Sequence, residues 1–123
     1  MLQKRILLVD DEKETLDAYC SLLTANGFSV VTADSVKNAR KEFFNSHFDL
    51  VITDLGIRED AGFILVEEIK EKSPHTPVIL LTGSVKTKML SEYLSILGVY
   101  TMIEKRSSAK DFIACVMDSL GLK

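Results

Sequence analysis

Five side chains in this sequence stand where apolar runs stop, and each brings a group that phosphate chemistry uses. Asp10 and Asp11 follow the run 6–9, Asp54 follows 50–53, Thr82 follows 78–81, and Lys105 comes just after 99–103. If the three aspartates converge, a pair of carboxylates about 4 Å apart repels by roughly 4 kcal/mol at an effective dielectric near 20. A positive group must then join them. Hard carboxylate oxygens with no His or Cys nearby select Mg²⁺ or Mn²⁺ over zinc, and an ion with few protein ligands keeps waters that a phosphate can replace. Lys105 adds a mobile point charge, Thr82 a hydroxyl donor, and a carboxylate at a strand end is a competent nucleophile toward phosphorus. Phosphoryl transfer depends mostly on positioning and charge neutralisation, which such a cluster supplies.

The elements that must position these groups alternate along the chain. Apolar runs fit strands, and the longer segments between them have helical period, the pattern of parallel strands joined by crossover helices. Residues 6–9 predict a first strand; Leu16, Tyr19, Cys20 and Leu23 then share a helical face that Asn26 and Gly27 close. Residues 28–32 predict a second strand, and Ser35 caps a helix whose apolar positions are Val36, Ala39, Phe43 and Phe44. The run 50–53 predicts a third strand ending at Asp54, followed by a helix with Phe63, Val66 and Ile69 inward and a stop at Ser73 and Pro74. Pro77 opens a fourth strand, 78–81, without loss of a ladder bond. A fourth helix runs to Leu97 and Gly98, residues 99–103 form a fifth strand, and Ser107 or Ser108 caps a final helix carrying Phe112, Ile113, Val116 and Leu120.

The first, third and fourth strands are almost wholly apolar, whereas the second and fifth admit Ser29, Thr32 and Thr101 and so belong at the edges. The expected architecture is α/β: a flavodoxin-like, doubly wound, five-stranded parallel sheet in order 2-1-3-4-5, with helices on both faces. In such a sheet ligands bind outside the carboxyl ends of the strands. One domain spanning 1–123 is expected, since 123 residues with 46% hydrophobic and 27% charged content suffice for one core. No apolar run reaches the length of a membrane span, and the opening residues lack a signal-peptide pattern, so a cytoplasmic setting without membrane contact is expected. A net charge of −3 argues against direct nucleic-acid binding. Cys20 and Cys115 fit helical apolar phases and are expected to be buried reduced thiols; His47 and His75 are expected to be surface residues without a carboxylate partner.

With these residues in view, the chain resembles receiver domains of two-component response regulators. Val9-Asp10-Asp11-Glu12, Asp54 through Gly62, Leu81-Thr82-Gly83 and Gly98 through Lys105 look like the four signatures of that family, and together they span the chain. The resemblance implies that Asp54 accepts a phosphoryl group from a histidine kinase or phosphotransfer protein, so the chain is a phosphoacceptor that assists its own phosphotransfer and dephosphorylation, not an enzyme. It implies that Asp11, Asp54 and the carbonyl of Gly56 bind Mg²⁺ (or Mn²⁺), that Asp10 assists through water, and that Thr82 and Lys105 hold phosphoryl oxygens. Thr82 and Met102 are the implied switch residues. Arg58 and Arg106 stand where the family usually has prolines, and Met102 where it usually has an aromatic residue.

Bland readings exist for each group alone: Asp10 and Asp11 as helix caps, Thr82 as a turn residue, Lys105 as a solvated lysine. Their joint placement at successive strand ends favours the chemical reading. An aspartyl-phosphate phosphatase fits less well because Asp10-Asp11-Glu12 is not Asp-x-Asp, and a flavin carrier would need a Ser/Thr/Gly-rich loop after the first strand. A phosphorylation-independent interaction module and a phosphorelay intermediate remain as alternatives. A homodimer or output-partner surface is expected on the face built from the fourth helix, the fifth strand and the last helix, where Met89, Leu90, Tyr93, Leu94, Ile96 and Leu97 exceed one buried stripe. Both a stand-alone regulator and the receiver of a longer protein are compatible with the sequence.

Overall fold

The computed structural model describes residues 3–54, 61–83, 92, 95–96, 98–99, 101–105 and 107–122. Its elements are β1 (Arg5–Val9), α1 (Lys13–Ala25), β2 (Ser29–Ala33), α2 (Val36–Asn45), β3 (Leu50–Asp54), α3 (Ala61–Lys72), β4 (Val78–Thr82), β5 (Thr101–Glu104) and a C-terminal helix, Ala109–Ser119. Every strand pair is parallel and the order is β2-β1-β3-β4-β5, the flavodoxin-like doubly wound sheet expected from the sequence.

Side chains alternate across a strand, so each strand feeds two core layers. Leu7, Val9, Val51, Val78 and Leu80 face one layer with Ala39 and Phe43 of α2 and Leu65, Val66 and Ile69 of α3. Ile6, Leu8, Leu50, Ile52, Ile79 and Leu81 face the other with Leu16 and Leu23 of α1 and Phe112 and Val116 of the C-terminal helix. All of β3 and β4 is buried, while β2 and β5 are partly exposed, as edge strands should be. Among the described residues, no helix is long and apolar enough to cross a membrane.

The helix ends follow local rules. Gly27 takes φ 90° after α1; its N–H donates to the Thr24 carbonyl and that of Phe28 to the Leu23 carbonyl, a pairing that needs the left-handed conformation glycine tolerates. Ser35 caps α2 through the N–H of Asn38. Ser108, not Ser107, caps the C-terminal helix, accepting from the N–H of Asp111.

Several expectations shift. The described part of the fifth strand runs Thr101–Glu104, paired with β4 from Ile79↔Thr101. Val99 packs against the α2/α3 layer outside the ladder, and Tyr100 is outside the described residues. Phe44 is 41% exposed: one step of helix rotation takes it off the face that Phe43 buries, and the Lys72 ammonium covers its ring at 4.4 Å. Cys20 and Cys115 are half-buried rather than buried, both against the α1 side of the sheet. Glu92, Ser95 and Ile96 are helical in the segment before Gly98, and Ile96 is 83% exposed; Met89, Leu90, Tyr93, Leu94 and Leu97 are outside the described residues.

His47 and His75 are exposed, but His47 does have a carboxylate partner: its Nε2 lies 3.2 Å from Asp49 Oδ1. Asp49 joins the starts of β1 and β3. Its other oxygen accepts the Arg5 N–H at 2.8 Å, and its own N–H donates to the Arg5 carbonyl at 2.8 Å. Burial pushes the Asp49 carboxyl up, but the Arg5 N–H and His47 outweigh it and hold the group below its ordinary value. A depressed folded value means stability that is present above the unfolded pKa of about 3.9 and lost as pH falls through the folded value. Asp49→Ala should therefore lower unfolding free energy by about 1–2 kcal/mol at pH 7 in urea titrations. The deficit should shrink at pH 3, and an equal deficit at both pH values would contradict the charged bond.

Candidate functional site

The register of the sheet brings the carboxylates together before any side chain is considered. Val9 of β1 is in register with Thr53 of β3, so Asp10 and Asp54, one step on, lie side by side. Asp54 pairs with Leu81, and Thr82 with Glu104, which leaves Thr82 and Lys105 adjacent on the far side. Asp10, Asp54 and Lys105 each stand two residues beyond a side chain of the α1 layer, Leu8, Ile52 and Ile103, and share its phase.

Asp10 is fully buried, Asp54 is 7% exposed and Asp11 is exposed; oxygens of the three lie within 4.8 Å of one another. At that distance two charges repel by about 3.5 kcal/mol at an effective dielectric of about 20. The Lys105 ammonium sits among them, 3.0 Å from Asp10 Oδ2, 3.1 Å from Asp54 Oδ2 and 3.3 Å from Glu12 Oε1. Burial disfavours the charged lysine, yet its bonds to Asp10 and Asp54 outweigh that and raise its pKa well above the ordinary lysine value. Lys105 is a fixed cation at any physiological pH.

For Asp10, burial dominates and raises the carboxyl above its usual value, against the opposing pull of the Glu12 N–H and Lys105. Its Oδ1 accepts that N–H at 2.9 Å, so Asp10 also orders the start of α1, while Oδ2 makes no hydrogen bond of good geometry and relies on the lysine ion pair. Among the described residues, four acidic side chains, Asp10, Asp11, Glu12 and Asp54, gather around one lysine. The under-coordinated Asp10 oxygen and the all-oxygen donor set fit a hard divalent cation of the Mg²⁺ type.

Of the residues singled out in the sequence, Asp10, Asp11, Asp54, Thr82 and Lys105 meet at one sheet end. Thr82 is buried, and its carbonyl accepts the Lys105 N–H at 2.9 Å. Met102 is in register with Leu80 and packs half-buried against the α2/α3 layer. Gly56, Arg58 and Arg106 are outside the described residues.

Two further contacts were not anticipated from sequence. Glu12 was noted only as part of a motif, yet it reaches Lys105. Tyr19 lies on the apolar face of α1 by its spacing, but its hydroxyl donates to the Lys105 carbonyl at 3.0 Å. The available signal was its polar tip, since a tyrosine on an inward stripe needs a hydrogen-bond partner.

Known proteins share this fold. A family model described as response regulator receiver domain matches residues 6–117. The transcriptional regulatory protein GlrR of Escherichia coli (strain K12) is 33% identical over 117 residues, which make up 94% of this chain and 26% of that protein. The chain thus spans about a quarter of that relative's length. A response regulator receiver domain protein from Clostridium thermocellum superposes with a TM-score of 0.85 at 29% identity, covering 96% of this chain and 94% of its own. The beryllofluoride-activated NtrC4 receiver domain dimer superposes with a TM-score of 0.88 at 26% identity, covering 97% and 98% respectively. With the match running from β1 into the C-terminal helix, the chain belongs to the response regulator receiver domain family of two-component signalling.

Proposed function

We propose that this receiver takes a phosphoryl group on Asp54 from a phosphohistidine of a histidine kinase or phosphotransfer protein, and that the modified domain changes partner binding. The observation that carries this reading is the Lys105 ammonium lodged between Asp54 and Asp10 beside a buried threonine, at the carboxyl end of the sheet.

An Asp54 carboxylate oxygen attacks phosphorus in line. The O–P bond forms as the P–N bond to the donor imidazole breaks; the electron pair returns to the imidazole nitrogen, which then takes up a proton. Lys105, 3.1 Å from Asp54 Oδ2, would follow the charge onto a phosphoryl oxygen, and the Thr82 hydroxyl would donate to another. Asp11 and Asp54 would hold Mg²⁺ (or Mn²⁺) directly and Asp10 through water; the Gly56 carbonyl enters from the family resemblance alone. Such an ion supplies charge neutralisation at the phosphoryl oxygens. Since Asp54 is itself modified, the chain acts as a substrate that assists its own phosphorylation and dephosphorylation.

The negative net charge favours a protein as the reader of the modified state over direct nucleic-acid contact. The reading surface is the face formed by the helical segment before Gly98, β5 and the C-terminal helix, where Ile96 is exposed. The similar NtrC4 receiver is a dimer in its beryllofluoride-activated form, which supports self-association as one outcome.

Incubation with acetyl phosphate and Mg²⁺ should add one phosphoryl mass to the intact chain. Asp54→Asn should add none while keeping the circular dichroism of the parent. Phosphate on the mutant at full stoichiometry would remove Asp54 as sole acceptor, and none on the parent would favour a phosphorylation-independent module. Asp11→Ala should weaken Mg²⁺ binding by about tenfold or more, roughly 1.4 kcal/mol, in a direct titration; an unchanged affinity would remove Asp11 as a ligand. Met102 lacks the rigid ring and hydroxyl that define two positions, so its coupling to the site should be weak. Met102→Tyr should enlarge the amide shifts that an acyl-phosphate mimic produces on β5 and the C-terminal helix, and equal or smaller shifts would refute this.

A further inference from the structure

Tyr19 contacts no carboxylate of the site in the bonds described, yet it holds the backbone of the residue that bridges three of them. Its ring lies 4.6 Å from that of Phe112, wedged between α1 and the C-terminal helix. Packing thus fixes the direction of the phenol, and its hydroxyl donates to the Lys105 carbonyl at 3.0 Å. Burial raises the Tyr19 pKa above its ordinary value, so the hydroxyl stays a donor at neutral pH.

On the other side of the same residue, the Lys105 N–H donates to the Thr82 carbonyl at 2.9 Å. Both backbone polar groups of Lys105 are therefore bonded just past the end of β5. The next residue in sequence is Arg106, so no proline ring restrains the chain there. From this anchor a flexible four-carbon stem delivers the ammonium to Asp10, Asp54 and Glu12. A rotation of the Lys105 peptide would move the root of that stem and change which of its rotamers reach Asp54, and misplacement of a catalytic group by about 1 Å can cost on the order of a hundredfold in rate.

The geometry points to Tyr19 as a positioning residue for Lys105: through the Lys105 carbonyl, its hydroxyl sets where the ammonium meets the phosphoryl group arriving on Asp54. The inference rests on the phosphoacceptor reading and deepens it. Ring packing alone would be served equally by phenylalanine; only the hydroxyl reaches the site's backbone.

Tyr19→Phe separates the two roles, because it keeps the ring against Phe112 and deletes one hydrogen bond. The limiting rate of phosphorylation by acetyl phosphate should fall about three- to tenfold, the factor that one ordinary hydrogen bond commands. The Mg²⁺ dissociation constant should stay within about twofold of the parent, since no proposed ligand is touched. In a Lys105→Met background the same substitution should change the slowed rate no further, because the route from Tyr19 to the phosphoryl group is then cut. Without any phosphorylation, the Lys105 carbonyl ¹³C and Nζ ¹⁵N resonances should both move in Tyr19→Phe. A parental rate in Tyr19→Phe, or the same fractional loss with and without Lys105, would reduce Tyr19 to a packing residue. A parent chain that takes up no phosphoryl group would overturn the phosphoacceptor reading, and this inference with it.

Discussion

The concentration of negative charge at one end of the sheet, bridged by the Lys105 ammonium, is the constraint on which the site depends. Asp10 and Asp54 are in the ladder's shadow, buried and side by side, and neither can retreat into solvent. Lys105 spans them at 3.0 and 3.1 Å and reaches Glu12 as well. Among the described residues one cation faces four acids, and Asp10 keeps an oxygen that is buried and poorly satisfied. An uncompensated buried charge is expensive, so such a cluster persists only where the surrounding structure enforces it, and it attracts whatever carries positive charge. The same imbalance suits a hard cation, whose charge together with that of Lys105 would in turn attract a phosphoryl oxygen.

What enforces the cluster is the rigidity of the inner strands. All of β3 and β4 and most of β1 is buried between two helical layers, so Asp10, Asp54 and Thr82 are carried on well-packed supports. Lys105 differs. It follows β5, which lies at the edge of the sheet beside β4 among the described residues and is partly exposed. Edge elements with fewer buried contacts open at lower free energy than core strands. The proposed acceptor is therefore on rigid ground while its cation is on the more yielding strand, next to the C-terminal helix through the Tyr19–Phe112 contact. That division fits a domain in which a change at Asp54 is to be felt at β5 and the last helix.

The strands, their order and the placement of the aspartates at their ends were legible in the sequence because they follow from local regularities. Alternation of apolar runs with helical periods dictates parallel strands with crossovers, and polar residues in the second and fifth runs mark edges. Gly27 announces the stop after α1 because few other residues take φ near 90°. The errors have equally local causes. Phe44 shares the apolar run of α2, and periodicity cannot resolve the one helical step that exposes it, while Val99, expected to open the fifth strand, lies outside the ladder.

From the sequence alone came the five groups at successive strand ends, the fold that gathers them and the kind of chemistry they suit, since residue type and strand position are properties of the chain itself. The tertiary structure decided what no spacing encodes: which oxygen each carboxylate turns to Lys105, that Glu12 joins the ion pairs, that Asp10 also orders α1, and that Tyr19 bonds the Lys105 carbonyl across 86 positions of sequence. Such contacts depend on the relative placement of helices packed on a sheet. That placement is settled by shape complementarity within the two core layers, and no local pattern in the chain carries it.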